Sequence, residues 1–251
     1  MKSNNRKLAA IVLAAGKGKR MKSDLPKVLH QLAGKPLVAH VLDTLKTLSA
    51  SPVVVVVGHK AEMVKNAIVD PGVDFVEQKE LLGTGHAVMA TESKLRDFDG
   101  DALVLAGDVP LLKVDTVEKL ITEHRSQKAV ATVLTAVVPD PSGYGRIVRG
   151  ENGMILRIVE HKDASEEERA VKEINTGSFV FDSESLFAAL KQVRNDNSQG
   201  EYYLTDVMQI FLEKGLPTAG YCAEDYRQTL GVNSQTELAE LEALAREAKL
   251  S

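Results

Sequence analysis

The stretch Leu8-Ala9-Ala10-Ile11-Val12-Leu13-Ala14-Ala15-Gly16-Lys17-Gly18-Lys19-Arg20-Met21 decides the fold. Apolar residues run unbroken from Leu8 to Ala15, then give way to two glycines set among cations. A continuous apolar run of this length suits a strand buried on both faces of a parallel sheet. Val53–Val57, Val73–Val76 and Ala102–Ala106 repeat the pattern. Between the first two runs Gly34 breaks the chain and Pro36 suits a first helical position. Leu37, Val41, Leu45 and Leu48 then form one apolar stripe. Further helices are predicted after Gly58-His59 and after Gly85. Asp115 and Glu118 fit a capping box for a helix running to about Arg125. Strand and helix in alternation predict an α/β fold with a Rossmann-like, doubly wound sheet.

The second half reads differently. Val130–Val138 is a strand candidate, and Arg146–Val148 with Ile155–Val159 form a hairpin around Gly150-Glu151-Asn152-Gly153. Ser165–Lys172 is a charge run, read as a solvated helix or loop. Ile174–Phe181 is a strand interrupted by Gly177, Leu186–Val193 and Tyr203–Leu212 are helical, and Pro217–Cys222 is a late strand. Ser234 and Glu237 form a second capping box, opening a helix with the stripe Leu238, Leu241, Ala245 and Ala248. No repeat or long polar linker divides the chain. It is read as one mixed α/β domain over residues 1–251, with 234–251 a C-terminal helix.

Composition removes several function classes. The 251 residues carry 31 Lys+Arg against 35 Asp+Glu, a net charge of −4. Mild acidity, no Trp and 4% aromatic residues argue against nucleic-acid binding, which needs stacking platforms. Cys222 is the one cysteine, which excludes intramolecular disulfides and multi-Cys zinc sites. Without a partner motif it reads as a small buried hydrophobe. No apolar run approaches the roughly 20 residues that span a bilayer. Basic residues before the first run imitate a signal peptide, but the run is too short. A cytoplasmic protein with no membrane partner is expected.

Two motifs carry chemistry. Residues 16–35 hold six basic side chains (Lys17, Lys19, Arg20, Lys22, Lys27 and Lys35) against Asp24 alone. Glycines let backbone N–H groups approach a phosphate, and the cations match its charge. The loop is not a Walker A motif, and Met21 stands where the dinucleotide fingerprint needs a third glycine. A solvated basic loop is the alternative. In the second motif, Val104-Leu105-Ala106-Gly107-Asp108-Val109-Pro110, a carboxylate follows a buried strand at the sheet edge where α/β proteins bind ligands. One protein carboxylate plus substrate phosphates is a common Mg²⁺ arrangement. A turn-forming Asp is the alternative. Gln78, Leu82-Gly83-Thr84-Gly85-His86, Gly143-Tyr144-Gly145-Arg146, Glu160, Asn175-Thr176-Gly177 and Gly231-Val232-Asn233 are polar groups at strand ends. Each by itself reads as a turn more readily than as a ligand site.

Together these strings resemble the sugar nucleotidyltransferases. Leu13-Ala14-Ala15-Gly16-x-Gly18-x-Arg20-Met21 with Pro26-Lys27 is similar to that superfamily's signature. The nearer likeness is to the pyrophosphorylase domain of the bacterial bifunctional N-acetylglucosamine-1-phosphate uridylyltransferases. It is carried by Lys27–His30, Leu82–Ala87, Gly107–Leu111, Gly143–Ile147, Ile158–Asp163, Glu173–Gly177, Glu201–Asp206 and Gly231–Asn233.

The resemblance implies the nucleotide-diphospho-sugar transferase fold, with UTP and N-acetylglucosamine 1-phosphate as substrates and Mg²⁺ as cofactor. On that likeness Leu13, Ala14, Ala15 and Gly16 contact the nucleotide, and Arg20 and Lys27 neutralise phosphates in catalysis. Gln78, Gly83 and Thr84 read the uracil, Gly145, Glu160 and Asn175 hold the sugar, and Asp108 and Asn233 hold the metal. Two positions depart from the family: Lys19 replaces the usual Thr, and Ala106 stands where many relatives have Tyr. Without a hexapeptide repeat, no left-handed β-helix is expected, and the chain is expected to be mainly a monomer or a weak dimer. Transfer to another sugar 1-phosphate and a non-catalytic nucleotide-sugar sensor remain open alternatives.

Overall fold

A computed structural model describes residues 6–250, with side chains to residue 246. In chain order the elements are β1 (Lys7–Ala14), β2 (Gln31–Leu32), β3 (Lys35–Pro36), α1 (Leu37–Thr47), β4 (Val53–Val57), α2 (Ala61–Ala67), β5 (Val73–Glu77), α3 (Thr84–Met89), α4 (Glu92–Leu95), β6 (Gly100–Ala106) and α5 (Val114–Ser126). Then follow β7 (Ala131–Val137), β8 (Gly145–Arg149), β9 (Ile155–Val159), α6 (Glu166–Arg169), β10 (Glu173–Asp182), α7 (Ser183–Leu190), α8 (Thr205–Glu213), β11 (Thr218–Cys222) and α9 (Gln235–Leu250).

The buried apolar runs become the middle of one mixed sheet, ordered β11-β7-β10-β6-β1-β4-β5, with β8 and β9 attached through β10. β1 pairs in parallel with β4 and β6, and β4 with β5. Alternate residues of β1 and β4 feed opposite layers. Ala10, Val12, Val53 and Val55 pack with α1, α2 and α5, whereas Ala9, Ile11, Val54 and Val56 pack with α3, α4, α7 and α8. Helices on both faces explain why these strands are apolar without alternation. Among the described residues no helix is long and apolar enough to cross a membrane.

β10 runs antiparallel to β6 and β7. Its register slips between Asn175 and Phe179, where Gly177 adopts φ 79°, and its first residues pair with β8 instead of β6. This bulge carries Asn175 beyond the end of β6. A third apolar cluster lies under α9, whose Leu238 and Leu241 pack with Met21, Leu32, Leu37 and Val232. Ala248, read as part of that stripe, lies outside the residues whose side chains are described.

Four readings are corrected. Pro36 precedes α1 as its cap residue. α5 begins before Asp115, so that side chain caps nothing and lies in the first turn. There its charge suits the helix dipole instead. The run 73–76 is only partly buried, because β5 is an edge strand. Cys222 is exposed, at the end of the opposite edge strand.

The amino ends of the parallel strands are fixed by charge. Fully buried Asp101 meets Arg6 at 3.1 Å and Arg125 at 2.7 Å, and Arg6 also meets Asp182 at 2.7 Å. His124 lies beside them, its Nδ1 3.0 Å from the Thr132 hydroxyl. Burial lowers its pKa from the ordinary 6.5 to about 4. Between those values the unfolded chain takes up a proton that the folded chain refuses. Stability therefore falls as pH drops through this window, by up to about 3 kcal/mol. Replacing His124 with Gln should flatten the unfolding free energy between pH 6.5 and pH 4, measured by urea denaturation. An unchanged slope would contradict this assignment.

Candidate functional site

Parallel pairing dictates where the site lies. β1, β4, β5 and β6 point the same way, so the segments after β1, β5 and β6 leave from one edge. That brings together the glycine loop, Gln78 and Asp108, at the edge where open α/β sheets take ligands. Because β10 is antiparallel, its first residues reach the same edge, and the pairing of Asn175 with Gly145 delivers both.

The edge opens into two adjoining cavities of about 590 and 310 Å³. Leu13, Thr84, Ala106 and Asp108 line both. The larger one holds Ala14, Ala15, Gly16, Lys17, Gly18, Lys19, Lys27, Gln78 and Gly83. The smaller one holds Arg20, Gly145, Glu160, Asn175 and Asn233. Every site residue named from the sequence therefore lines one connected cleft.

The glycine loop has a steric reason for its spacing. Gly18 adopts φ 57°, and a Cβ there would stand 2.7 Å from the Cβ of Lys27. Only glycine lets the loop fold back against Lys27. A 3₁₀ turn over Lys19–Met21 follows and drops Met21 into the cluster under α9. Lys17, Lys19, Arg20 and Lys22 make no ion pair or side-chain hydrogen bond among the described residues. Three of these four cations face the cleft, Lys22 being the exception. Lys35, counted above with this cluster, is instead paired with Asp43 on α1.

Lys27 is already engaged. Its ammonium donates to Asp108 Oδ2 and, at 3.1 Å, to Asn233 Oδ1. Asn233 is held in place by Val232 N donating to Asp108 O at 2.9 Å and by its own N–H donating to the Glu237 carboxylate. Glu237 N donates to Ser234 Oγ at 3.2 Å, so the capping box read at Ser234 and Glu237 reaches one residue further back, to Asn233. Two hard oxygens thus converge on one positive charge. That donor set fits a hard divalent cation completed by phosphate oxygens. Among the described residues no cluster of three or more His, Cys, Asp or Glu side chains could hold a metal by itself.

The other walls are built by close backbone approach. Gly83 has φ 107°, and a Cβ on it would lie 2.6 Å from the Tyr202 carbonyl. Gly85 N donates to that carbonyl at 2.7 Å, Tyr202 N to Leu82 O at 2.7 Å, and Leu204 N to Thr84 Oγ1 at 3.0 Å. Glu160 accepts from the Thr205 hydroxyl at 3.2 Å. Burial raises its pKa, the Thr205 hydroxyl opposes this, and Asp206, Asp163 and Glu201 push it up further. Asn175 Oδ1 accepts from Gly177 N at 2.9 Å. Sequence reasoning gave no site role to Tyr144, Glu201 or Thr205 and gave Glu237 only a helix-capping one, yet all four line the cleft. The string Glu201–Asp206 was the one available signal for two of them.

α9 therefore supports the site through Met21 on one side and Val232 on the other. Leu241→Ala should cost about 2–5 kcal/mol of local packing. Turnover should fall at temperatures where far-ultraviolet circular dichroism still reports a folded chain. Full turnover in this variant would show that α9 does not hold the two segments.

Comparison with known proteins agrees with this geometry. The relative named Bifunctional protein GlmU from Streptococcus mutans is 52% identical over 237 residues, which is 94% of this chain and 51% of that relative. Its namesake from Bacillus subtilis is 51% identical over 238 residues, 95% of this chain and 52% of the relative. The chain spans about half the length of the curated relatives it matches. A solved structure from Bacillus anthracis, named as a glucose-1-phosphate thymidylyltransferase in complex with sucrose, shares the fold with a TM-score of 0.73. It is 21% identical and 95% of each chain is covered. The family model of the MobA-like NTP transferase domain matches residues 10–207. The match covers well over half of the chain, and the chain belongs to the MobA-like NTP transferase domain family.

Proposed function

We propose that this chain is a nucleotidyltransferase domain that transfers UMP from UTP to N-acetylglucosamine 1-phosphate. The products are UDP-N-acetylglucosamine and pyrophosphate. One observation carries the reading. Uncommitted cations of the glycine loop face the same cleft as the Asp108–Asn233 oxygen pair. Relatives about half identical over the matched residues, each named Bifunctional protein GlmU, support the choice of substrates.

The larger cavity takes the nucleotide. Leu13, Ala14, Ala15 and Gly16 lie along it, with Gln78, Gly83 and Thr84 at the base. The smaller cavity takes the sugar phosphate against Gly145, Glu160 and Asn175. Asp108, at the junction of the two, is where the phosphates would meet.

A sugar phosphate is already an anion near neutral pH, so the attack needs no general base. Its oxygen attacks the α-phosphorus of UTP as the bond to pyrophosphate breaks. The residues contribute position and charge neutralisation. Arg20 and Lys27 balance charge on the α-phosphate and on the leaving pyrophosphate. Asp108 and Asn233 would hold Mg²⁺, which when bound neutralises and orients phosphate oxygens. Lys27 must then release at least one of its two oxygen partners and turn its ammonium towards phosphate.

Asp108→Asn removes the one carboxylate of that pair and keeps its shape. Turnover should fall at least ~10²-fold, about 2.7 kcal/mol of transition-state stabilisation. Pyrophosphate release in the presence of Mg²⁺ measures it. Near-normal Mg²⁺-dependent turnover would remove Asp108 from the mechanism.

A further inference from the structure

Gln78 sits at the end of β5, buried, with its backbone N–H donating to Val57 O at 2.7 Å. Its side-chain Nε2 donates to the Gly83 carbonyl at 3.0 Å and lies 3.1 Å from His86 Nδ1 on the first turn of α3. A carbonyl only accepts, so the amide's nitrogen end must face Gly83. His86 Nδ1 then takes the second hydrogen, which places the ring's own proton on Nε2. Both amide donors are used. Gln78 Oε1 has no partner among the described residues, and Gln78 lines the larger cavity. Gly83 N–H is likewise without a partner there.

The cleft is thereby offered one acceptor, Gln78 Oε1, beside one donor, Gly83 N–H. Uracil presents the complement, an N3–H beside a carbonyl oxygen. Cytosine reverses it, with a bare N3 beside an amino group. A free glutamine side chain could rotate about its last torsion and show its NH₂ to cytosine instead. A locked one cannot, without setting Oε1 against the Gly83 carbonyl. We infer that His86, which lines neither cavity, positions Gln78 and so sets the preference for uracil over cytosine. This rests on the nucleotide reading above and goes beyond it by naming what fixes the reading group. The His86 ring is itself held beside Tyr202, with centroids 6.1 Å apart and planes tilted by 33°. Tyr202 is the residue whose backbone closes on Gly83 and Gly85.

The test compares kcat/KM for UTP and CTP in wild type, Gln78→Ala, His86→Phe and His86→Asn. Phenylalanine keeps the ring against Tyr202 and loses the acceptor; asparagine can place an oxygen near the position of Nδ1. The wild type should prefer UTP, and Gln78→Ala should lose that preference. His86→Phe should lower the UTP/CTP ratio at least about tenfold through KM for UTP, with kcat little changed. His86→Asn should restore most of the ratio. If the phenylalanine variant does not fold, His86→Leu takes its place with the same expectation. An unchanged ratio in a folded variant lacking the acceptor overturns the role of His86 while leaving the uracil reading intact. A ratio lost equally in the asparagine variant assigns the effect to ring packing and also overturns it. A wild type that uses both nucleotides equally overturns the uracil reading and this inference together.

Discussion

The cleft depends on one ammonium group. Lys27 donates to Asp108 and Asn233, which lie 81 and 206 residues away in the chain. Three segments far apart in the chain are joined there by side chains: the glycine loop after β1, the turn after β6 and the approach to α9. Two oxygens aimed at one another across a cleft would repel. A cation between them removes that repulsion, and the side chains of Lys27 and Asp108 are both largely withdrawn from water. Withdrawal from water makes removal of either partner costly, because the other charge is then left unpaired in a poorly solvated place. The same arrangement keeps the oxygen pair formed in the resting chain.

The rest of the fold makes that meeting possible. Parallel register puts three loop exits on one edge. The slip in β10 at Gly177 lets a strand paired with β6 continue past its end and carry Asn175 to the cleft. At the opposite edge Arg6, Arg125, Asp101 and Asp182 tie β1, α5, β6 and β10 together, so the strands cannot slide relative to one another without breaking buried charge pairs. One end of the sheet is fixed by ion pairs that are satisfied. The other carries cations left for a ligand.

Much of this is legible in the sequence, and what is missed has a common cause. Strands such as Val53–Val57 are legible because burial on both faces leaves only apolar residues. The helix stripe Leu37, Val41 and Leu45 is legible because it follows the helical repeat. The glycine loop is legible because Gly16 and Gly18 flank cations directly after a strand. Asp115 is misread because capping depends on where the backbone turns helical, which residue type alone does not fix. Lys35 is miscounted because its partner, Asp43, lies eight residues on, in a different element. Nothing local to Lys27 reveals Asn233, and nothing local to His86 reveals the amide it holds. Motifs state which residues are available. Register and side-chain partnership decide which of them are free.

The central claim is that this cleft joins a uridine nucleotide to a sugar phosphate. It is tested most directly by phosphorus-31 nuclear magnetic resonance of the chain with UTP, N-acetylglucosamine 1-phosphate and Mg²⁺. The account predicts that the sugar-phosphate and triphosphate signals decline together while pyrophosphate and a nucleotide-sugar diphosphate appear in equal amounts. Persistence of both substrates, or release of inorganic phosphate without a diphosphate-linked sugar, would contradict it.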